Sequence, residues 1–493
     1  MERFEPGHSL TIFFLALSGC ASFTGGLEGP ERSHNARFEG GVTSEESTLF
    51  GSSPPELGVA LSGGGLRAAF YATGALAALH EKGVLQRTRL ISTVSGGGYA
   101  GYYIYSSQVA ADRKVGHRLP FGDAVFSPPT LPVTLCHLVT NANFVSLPSM
   151  LGAALTGRSV QIYDRRIGEV FGAADTGLTM PQTGALAREG YPYLIVNATV
   201  SRSMASDWSD GLYEFTGSGT RGAGRGEAAW SSSDANPVTY RQAVGISGAA
   251  FAPFLKQTIA EPPGSESGVV TLYDGGASEN LGAIALIRRA VSEIVIVDAE
   301  HDPKYAFDAY LNLKRRLPKW GADIVIRGIE DHLASKSRKS PEASYFSGEA
   351  IGQRADGSKF TSRIHYLKMS LGAGYRDRLH AKWKDDEEGP QSWRDFNAGR
   401  MASYTSPVGC AGMGGRPLDL ATLSEYAVDR YGSWWNGMWQ SKMLGGFMAL
   451  GFPQYSTADQ SMYVDQAPAF VGLGYLQARL MPVGSGGAGQ VVK

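Results

Sequence analysis

Three short motifs hold the candidate reactive residues of this chain, and the first is a glycine-rich loop. It reads Ser62-Gly63-Gly64-Gly65-Leu66-Arg67. Consecutive glycines let the backbone bend so that amide N–H groups converge, and the N-terminus of a following helix adds partial positive charge. The loop therefore predicts an anion site, for a phosphate or for the oxyanion of an acyl-transfer intermediate. The alternative is a plain tight turn between a strand and a helix.

The second motif places a serine among small residues, in Thr93-Val94-Ser95-Gly96-Gly97. A serine at a sharp strand-to-helix turn is the arrangement of a nucleophile elbow, which projects the hydroxyl from the carboxyl edge of a sheet. A glycine usually stands two residues before such a serine, and here that residue is Thr93. The alternative is that Ser95 only caps the following helix.

The third motif, Asp274-Gly275-Gly276, stands at the end of an apolar run. A carboxylate followed by two glycines can lie in a sharp turn that approaches a neighbouring segment closely. Taken alone, the motif indicates no more than a loop in a glycine-rich chain, which has 64 glycines among 493 residues.

The elements that position these motifs are read from the apolar pattern. Short buried strands alternate with segments of helical spacing, which predicts an α/β fold with a mostly parallel sheet covered by helices on both faces. The predicted strands are Leu57–Leu61, Arg89–Val94, Tyr193–Val200, Val269–Tyr273 and Glu293–Asp298. The predicted helices between them are Ala68–Lys82, Tyr99–Ala110 and Ala283–Ala290.

Taken together, the three motifs resemble those of the patatin-like phospholipases. That family has a G-G-G-x-R loop, a G-x-S-x-G elbow and a D-G-[GA] turn, in this order. The resemblance covers Leu57 to Ile296. The segment Ala243–Pro253 is similar to the family's stretch of Ala, Ser and Pro, and Asn280 matches an Asn that often follows the D-G-[GA] turn.

The resemblance implies a serine acyl hydrolase that cleaves acyl esters of membrane phospholipids or lysophospholipids. It implies Ser95 as the nucleophile and Asp274 as its base, without a metal or a cofactor. The implied oxyanion hole is Gly63, Gly64 and Gly65, and the implied supporting residues are Arg67, Gly97, Gly275 and Gly276. An ordinary aspartate, with a pKa near 3.9, is a poor base, so partial burial should raise the pKa of Asp274. Arg67 either holds the loop in place or attracts a phosphate headgroup, and the alternative is a surface arginine that caps a local carbonyl.

Other functions remain open at this point. A lipoprotein that binds lipid or a partner protein without turnover could keep the fold but not the chemistry. A nucleotide site in the glycine loop is disfavoured, because the chain has neither the P-loop Lys-Ser/Thr nor an acid for the ribose. A hidden Ser–His–Asp triad would need one of the nine histidines, such as His80 or His137.

The first residues of the chain resemble an export signal. The apolar run Ser9–Leu17 is too short to span a bilayer, and Leu17-Ser18-Gly19-Cys20 is similar to the bacterial lipobox. The resemblance implies a signal peptide over 1–19, a lipidated Cys20 that anchors the protein to the membrane, and the outer membrane of the cell envelope as its place. The alternative is a disordered N-terminus, since Glu2 and Glu5 stand where a signal should be basic.

The rest of the chain divides by composition. Residues 20–55 are predicted to form a flexible tether, 56–330 a patatin-like catalytic core, and 331–493 an extension of that core with loops and a mainly helical region. Exposed loops are predicted over Gly217–Pro237 and Ser335–Ser358. The aromatic-rich segment Leu418–Phe452 either packs into the core or meets a lipid interface.

Composition excludes several classes. The formal net charge is −1, and no dense basic run is present, so nucleic acid is not an expected partner. Three cysteines without a Cys-x-x-Cys pair give no zinc site. Cys136 and Cys410 either form a disulfide in an oxidising compartment or remain two buried thiols.

Overall fold

The computed structural model describes the larger part of the chain. The described residues are 44–51, 53–140, 159–172, 176–200, 211–222, 226–229, 237–249, 257–260, 269–335, 341, 343–354, 357–370, 453–454 and 466–483.

A single twelve-stranded sheet forms the centre of this part of the chain. Its strands are β1 Leu57–Leu61, β2 Leu90–Val94, β3 Tyr193–Val200, β4 Leu212–Thr216, β5 Gly219–Gly222, β6 Gly226–Ala229, β7 Gln257–Ala260, β8 Val269–Tyr273, β9 Glu293–Asp298, β10 Ala322–Val325, β11 Tyr345–Gln353 and β12 Lys359–Lys368. The order across the sheet is β10-β11-β12-β9-β1-β2-β3-β4-β5-β6, and β8 pairs with β3 and β7. The five strands from β12 to β3 are parallel, and the outer strands are antiparallel.

Helices cover both faces of the sheet. The described helices are α1 Ser44–Phe50, α2 Gly65–Glu81, α3 Val84–Arg87, α4 Gly96–Val115, α5 Asp123–Phe126, α6 Leu131–Thr140, α7 Ser159–Phe171, α8 Met180–Arg188, α9 Tyr240–Ser247, α10 Ala283–Ile287, α11 Asp308–Arg316, α12 Arg327–Ala334 and α13 Gln466–Arg479. Alternate residues of the central strands point to two separate apolar clusters. Helices α2, α4 and α13 pack on one cluster, and α10, α11 and α12 pack on the other.

The central strands are near-continuous apolar runs because both of their faces are buried. Every residue of β1, β2 and β3 is buried. This is the pattern expected for parallel strands between two helical layers. The predicted α/β fold with a mostly parallel core is therefore confirmed, while the antiparallel flanks were not predicted.

The register of the parallel strands aligns the first two motifs at one edge of the sheet. Leu61, the last residue of β1, pairs with Thr93 of β2 and with Val297 of β9. The carboxyl ends of parallel strands lie at the same edge, which is where ligands bind in open α/β sheets. The glycine loop and the serine turn therefore begin side by side.

Strand β8 brings the third motif to the same place from the opposite direction. Val94 of β2 pairs with Asn197 of β3, and Tyr273 of β8 pairs with Thr199, two residues further along β3. Because β8 runs antiparallel to β3, Ser95 and Asp274, which follow Val94 and Tyr273, approach each other beside the last residues of β3. The Asp-Gly-Gly turn thus approaches the serine turn.

Two predicted loops are partly strands. The range Gly217–Pro237 contains β5 and β6, and Ser335–Ser358 contains β11. These strands are short, glycine-rich or exposed on one face, so they lack the continuous apolar run by which the central strands were found. The predicted extension from residue 331 also contributes β12 to the parallel core, beside β9.

The predicted tether, residues 20–55, also includes a helix at its C-terminal end. Residues Ser44–Phe50 form α1, and its Glu46 is fully buried. Glu46 belongs to a group of buried charges that we call the remote network, because its ion pairs join α1, β4 and the end of α10 and not the three motifs. Its members are Glu46, Glu214, Arg288 and Arg289. The polar composition of α1 suggested a flexible linker, and a partner 243 residues away in the chain makes it part of the fold.

Several predictions lie outside the described residues. These are the signal peptide, Cys20, the first part of the tether, Cys410 and the aromatic-rich segment Leu418–Phe452. Cys136 on α6 is disulfide-bonded, and its partner is outside the described residues too. Among the helices that the structure describes, none has the length and apolarity to cross a membrane.

Candidate active site

Ser95 occupies a strained turn between β2 and α4. Its φ is 46° and its ψ is −119°, a backbone conformation that side chains other than glycine rarely adopt. The residue is buried, and α4 begins at the next position. A strained serine at a sharp strand-to-helix turn is the geometry of a nucleophile elbow.

Small residues around Ser95 make this turn possible. A methyl group added at Gly97 would lie 2.4 Å from the carbonyl oxygen of Leu61, so only glycine fits there. The Gly97 amide also donates to the carbonyl oxygen of Ser62 at 3.1 Å, which ties the turn to the glycine loop. Thr93 replaces the usual glycine without a clash, because its side chain faces Gly101 of α4.

The side chain of Ser95 points to Asp274 and does not cap α4. Its Oγ donates to Asp274 Oδ2 at 3.0 Å, across 179 residues of sequence. The residue stands at the N-cap position of α4, yet its side chain makes no capping hydrogen bond. This geometry favours the elbow over the helix-cap alternative, and it brings the second and third motifs together as the sequence predicts.

Asp274 is held in place from its other side. Its Oδ1 accepts a hydrogen bond from the Gly276 amide at 2.7 Å. Gly275 begins a short 3₁₀ helix, and the carbonyl oxygen of Gly275 accepts a hydrogen bond from the Thr199 hydroxyl. Burial raises the pKa of Asp274 to about 6, against the hydrogen bonds from Gly276 and Ser95, which favour the charged form. The carboxylate is therefore ionised at neutral pH but much more basic than an exposed aspartate.

Asn280 joins the glycine loop to the Asp-Gly-Gly turn. Its carbonyl oxygen accepts the Gly63 amide at 2.9 Å, and its side-chain Oδ1 lies beside both Gly63 and Gly276. The Gly63 amide is thus already engaged. This contact corrects the predicted oxyanion hole, because a donor that serves Asn280 does not point its proton at a substrate.

The two remaining glycines of the loop leave their donors unengaged. Within the described part of the chain, the amides of Gly64 and Gly65 have no hydrogen-bond acceptor. Helix α2 begins at Gly65 and α4 begins at Gly96, and neither has a side-chain cap. The two helix starts touch, since a methyl group at Gly96 would lie 2.0 Å from the Gly65 carbonyl oxygen. Partial positive charge from both helices converges there.

Arg67 is buried behind the loop. Its guanidinium donates to the carbonyl oxygen of Ala299 at 3.1 Å, and its side chain is 1% exposed. Burial lowers the pKa of Arg67 to about 10, so the group stays charged at neutral pH. This position matches the alternative in which Arg67 holds the loop, and it does not match an exposed attachment point for a headgroup.

Ser247 is a contact of the site that the sequence did not single out. Its Oγ accepts the backbone amide of Ser95 at 2.8 Å. Ser247 lies in α9, inside the segment Ala243–Pro253 that supported the family resemblance, and residues 250–253 of that segment lie outside the described part. A small polar residue in the middle of this segment was the available signal, but only the fold shows its partner.

Several of the described histidines have partners outside the site. His80 bonds Asp123, His137 bonds the Val170 carbonyl oxygen and His365 bonds Glu293. None of the histidines in the described ranges makes a hydrogen bond to Ser95 or Asp274. The arrangement is therefore a Ser–Asp pair without an imidazole between the two groups.

Taken as chemistry, these residues combine a hydroxyl, a base of raised pKa and an electropositive pocket. A hydroxyl hydrogen-bonded to a partly buried carboxylate can be deprotonated as it attacks an electrophile. Amide donors at two helix N-termini can hold the negative charge that then develops on the electrophile's oxygen. Acyl transfer needs these three components.

Comparison with solved structures identifies the fold. The structure of human GIVD cytosolic phospholipase A2 matches with a TM-score of 0.50 at 10% identity, over 97% of this chain and 63% of that chain. The same enzyme in complex with methyl gamma-linolenyl fluorophosphonate matches with a TM-score of 0.47 at 11% identity, over 90% and 60% of the two chains. VipD from Legionella pneumophila matches with a TM-score of 0.26 at 15% identity, over 54% and 55%.

The sequence comparisons contribute less than the structural one. No protein-family model matches the chain, and the search of curated proteins returned no match. The chain spans less than two thirds of the length of the human phospholipase. At such low identity the likeness concerns the fold, and the chain therefore has a phospholipase A2-like α/β hydrolase fold.

Proposed function

We propose that the protein is a serine acyl hydrolase that cleaves acyl esters of membrane phospholipids or lysophospholipids, with Ser95 as nucleophile and Asp274 as base. The observation that carries the proposal is the 3.0 Å hydrogen bond from Ser95 Oγ to Asp274 Oδ2 at a strained elbow. The fold, shared with a cytosolic phospholipase A2, supports the lipid class of substrate.

In the first half of the reaction, Ser95 Oγ attacks the ester carbonyl carbon. Asp274 accepts the hydroxyl proton as the new C–O bond forms. The carbonyl oxygen becomes an oxyanion, and the amides of Gly64 and Gly65 donate to it. Loss of one such donor typically slows an enzyme by about a hundred- to a thousandfold. The tetrahedral intermediate then collapses, the ester bond breaks, and the proton on Asp274 passes to the departing alcohol oxygen.

In the second half, water releases the acyl group. Asp274 is a carboxylate again after the alcohol has left, so it can accept a proton from the attacking water. A second tetrahedral intermediate uses the same two amide donors. Its collapse breaks the bond between Ser95 and the acyl carbon, and the proton returns from Asp274 to Ser95. The products are a fatty acid and a lysolipid, or a fatty acid and a deacylated headgroup.

The raised pKa of Asp274 explains how a carboxylate can serve without histidine. A base works best when its pKa lies near the working pH, and a pKa of about 6 meets that condition far better than an ordinary aspartate does. The fixed contact with Ser95 adds the advantage of a base held beside its proton, at high effective concentration.

A membrane location remains part of the proposal. The lipobox-like sequence at Cys20 supports a lipid anchor in the cell envelope, which would hold the enzyme next to its substrate. Palmitate labelling of cells that express the wild type or Cys20→Ala tests the anchor separately from the chemistry. We expect label on the wild type alone.

Product analysis tests the reaction directly. The purified wild type is incubated with mixed phospholipid and lysophospholipid vesicles, and the products are identified by mass spectrometry. We expect free fatty acid from the wild type and at least about a thousandfold less from Ser95→Ala. The matched control is Ser106→Ala, a buried serine on α4 whose hydroxyl bonds only the backbone of its own helix. Release of fatty acid by Ser95→Ala at the wild-type rate would contradict the proposal.

A further inference from the structure

Behind the glycine loop lies a second group of buried charges, at the carboxyl ends of β9 and β12. We call it the site network, and its members are Asp298, Glu300, Asp302 and Lys368. Lys368 and Asp298 are 0% exposed, Asp302 is 3% exposed and Glu300 is 7% exposed. Burial of one cation among three carboxylates is costly unless the contacts are close and well directed.

Lys368 makes those contacts with all three acids. Its Nζ lies 2.9 Å from Asp298 Oδ2, 2.8 Å from Glu300 Oε1 and 3.1 Å from Asp302 Oδ2. Arg67 is a second buried cation that interacts with Asp298 and Glu300 through space. The nearby His301 adds no charge, because burial lowers its pKa to about 4.

The acids connect Lys368 to the backbone at the end of β9. Asp298 Oδ1 accepts the Glu300 amide at 2.9 Å, and Asp298 Oδ2 accepts the Tyr366 hydroxyl at 2.5 Å. The side chain of Asp298 therefore fixes the turn from Asp298 to Glu300. The residue inside that turn is Ala299.

The backbone of Ala299 in turn contacts the glycine loop. Its amide donates to Ser62 Oγ at 2.7 Å, and its carbonyl oxygen accepts from Arg67. Gly64 lies against the same carbonyl group, since a methyl group added to Gly64 would be 2.4 Å from that oxygen. Gly64 has a φ of 142°, a conformation that is open to glycine but strained for a residue with a side chain. A displaced Ala299 peptide would displace the Gly64 amide with it.

We propose that Lys368 is a positioning residue for acyl transfer, which acts through the three acids and Ala299 to hold the Gly64 and Gly65 amides where the oxyanion forms. The inference rests on the proposed function of the same site. Lys368 does not contact the substrate. Misplacement of a reacting or stabilising group by about 1 Å can cost an enzyme about a hundredfold in rate, so a residue behind the loop can control the chemical step.

The test separates rate from stability in purified variants. Lys368→Met keeps an unbranched side chain but removes the charge, and hydrolysis of a short soluble ester, p-nitrophenyl butyrate, reports kcat and KM. We expect kcat to fall by about tenfold to a hundredfold with KM changed less than about threefold, because the donors act mainly on the transition state. The double variant with Glu300→Gln should recover part of kcat, since it removes one of the acids left without a partner.

The matched control is Arg289→Met in the remote network, where a fully buried cation also bridges two acids. Circular dichroism gives the folded fraction of each variant, and kcat is expressed per folded molecule. We expect the control to lose stability and keep its kcat. A wild-type kcat in folded Lys368→Met would overturn the inference, as would an equal loss of kcat in Arg289→Met.

Tyr366→Phe covers the case in which Lys368→Met does not fold. This variant removes only the hydroxyl that donates to Asp298, and we expect kcat to fall by about threefold to tenfold at constant KM. An unchanged kcat in folded Tyr366→Phe would then overturn the inference. Failure of the proposed function would look different, because the wild type itself would not hydrolyse the ester.

Discussion

The site network and the remote network are two solutions to the same physical problem. In each, charged side chains are buried where an unpaired charge would be strongly unfavourable. The remote network pairs two arginines with two glutamates, at 2.6 Å for Arg288–Glu214 and 2.7 Å for Arg289–Glu46. Its charges balance, and it fastens α1 and β4 to the end of α10.

The site network gathers three carboxyl groups around one lysine instead. Three carboxylates share Lys368, with Arg67 as the next cation. Burial raises the pKa of Glu300, and the neighbouring Asp298 and Asp302 raise it further against the attraction of Lys368. Carboxyl groups with raised pKa values cluster at functional sites more than elsewhere.

The difference teaches that buried charge has two uses in this molecule. The remote network stabilises the fold, and its loss should unfold the protein without changing the chemistry of the molecules that stay folded. The site network behind the glycine loop sets the position of two amides, and its loss should change the rate. Changes at Asp274, Arg289 and Ser247, together with the pH dependence of the rate, test this division.

Asp274→Asn should give the largest effect, with opposite signs for rate and stability. Loss of a general base typically costs about a hundred- to ten-thousandfold in kcat. The folded-state pKa of about 6 lies above the ordinary value of 3.8, so the stability that the protonated acid contributes is complete below pH 3.8 and is lost as the pH rises through 6. The neutral amide should therefore make the protein more stable than the wild type above pH 6. Ester hydrolysis and thermal unfolding at pH 8 measure both effects.

Retention of wild-type kcat in Asp274→Asn would remove Asp274 from the reaction. The asparagine side chain keeps an oxygen that can accept the hydrogen bond from the Gly276 backbone amide. A loss of activity would therefore not come from disruption of this turn.

Arg289→Met should destabilise the fold more than any of the other changes proposed. It leaves Glu46 and Glu214 buried without their shared partner, which typically costs about 3–5 kcal/mol. Urea unfolding followed by circular dichroism gives the free energy of unfolding. A double change to Arg289→Met with Glu46→Gln should regain part of it. Unchanged stability would show that the remote network is not a structural clamp.

The pH dependence of the rate should follow Asp274. Because the base must be ionised, kcat/KM should fall about tenfold for each pH unit below an apparent pKa of about 6 and reach a plateau above it. Arg289→Met should leave that midpoint unchanged, since the ion pairs of the remote network do not include Asp274. A flat profile between pH 5 and 7, in a wild type that stays folded over that range, would contradict the assignment of the base.

Ser247→Ala should give the smallest effect. It removes the acceptor of the Ser95 amide and leaves the strained elbow less tightly held. The loss of one hydrogen bond predicts a decrease of kcat by about threefold to tenfold with KM nearly unchanged. Steady-state kinetics with p-nitrophenyl butyrate measures it, and Ser106→Ala again serves as the control. Equal kinetics in the two variants would show that Ser247 does not position the nucleophile.

The sequence predicted the centre of the sheet well. The bounds of β1, β3, β8 and β9 agree with the predicted strands, because each is a short apolar run ended by turn residues. Helices α2 and α4 begin three residues earlier than predicted. Their first residues include glycines, whose low helix propensity hid the helix starts.

The candidate site was predictable only where its chemistry is local. Glycines, a serine and an aspartate in short motifs could be read directly, and the structure brings Ser95 and Asp274 together. The engaged amide of Gly63 and the role of Lys368 could not be read, because both depend on partners from distant segments. A lone lysine at the end of a strand has no pattern that distinguishes it from an exposed one.

Covalent labelling with an alkyl fluorophosphonate, followed by peptide mass spectrometry, tests directly whether Ser95 is the nucleophile and Asp274 its base. We expect one adduct, on the Oγ of Ser95, formed rapidly by the wild type, much more slowly by Asp274→Asn, and not at all on the corresponding peptide of Ser95→Ala. Equal labelling of the wild type and Ser95→Ala, or an adduct on another residue alone, would contradict it.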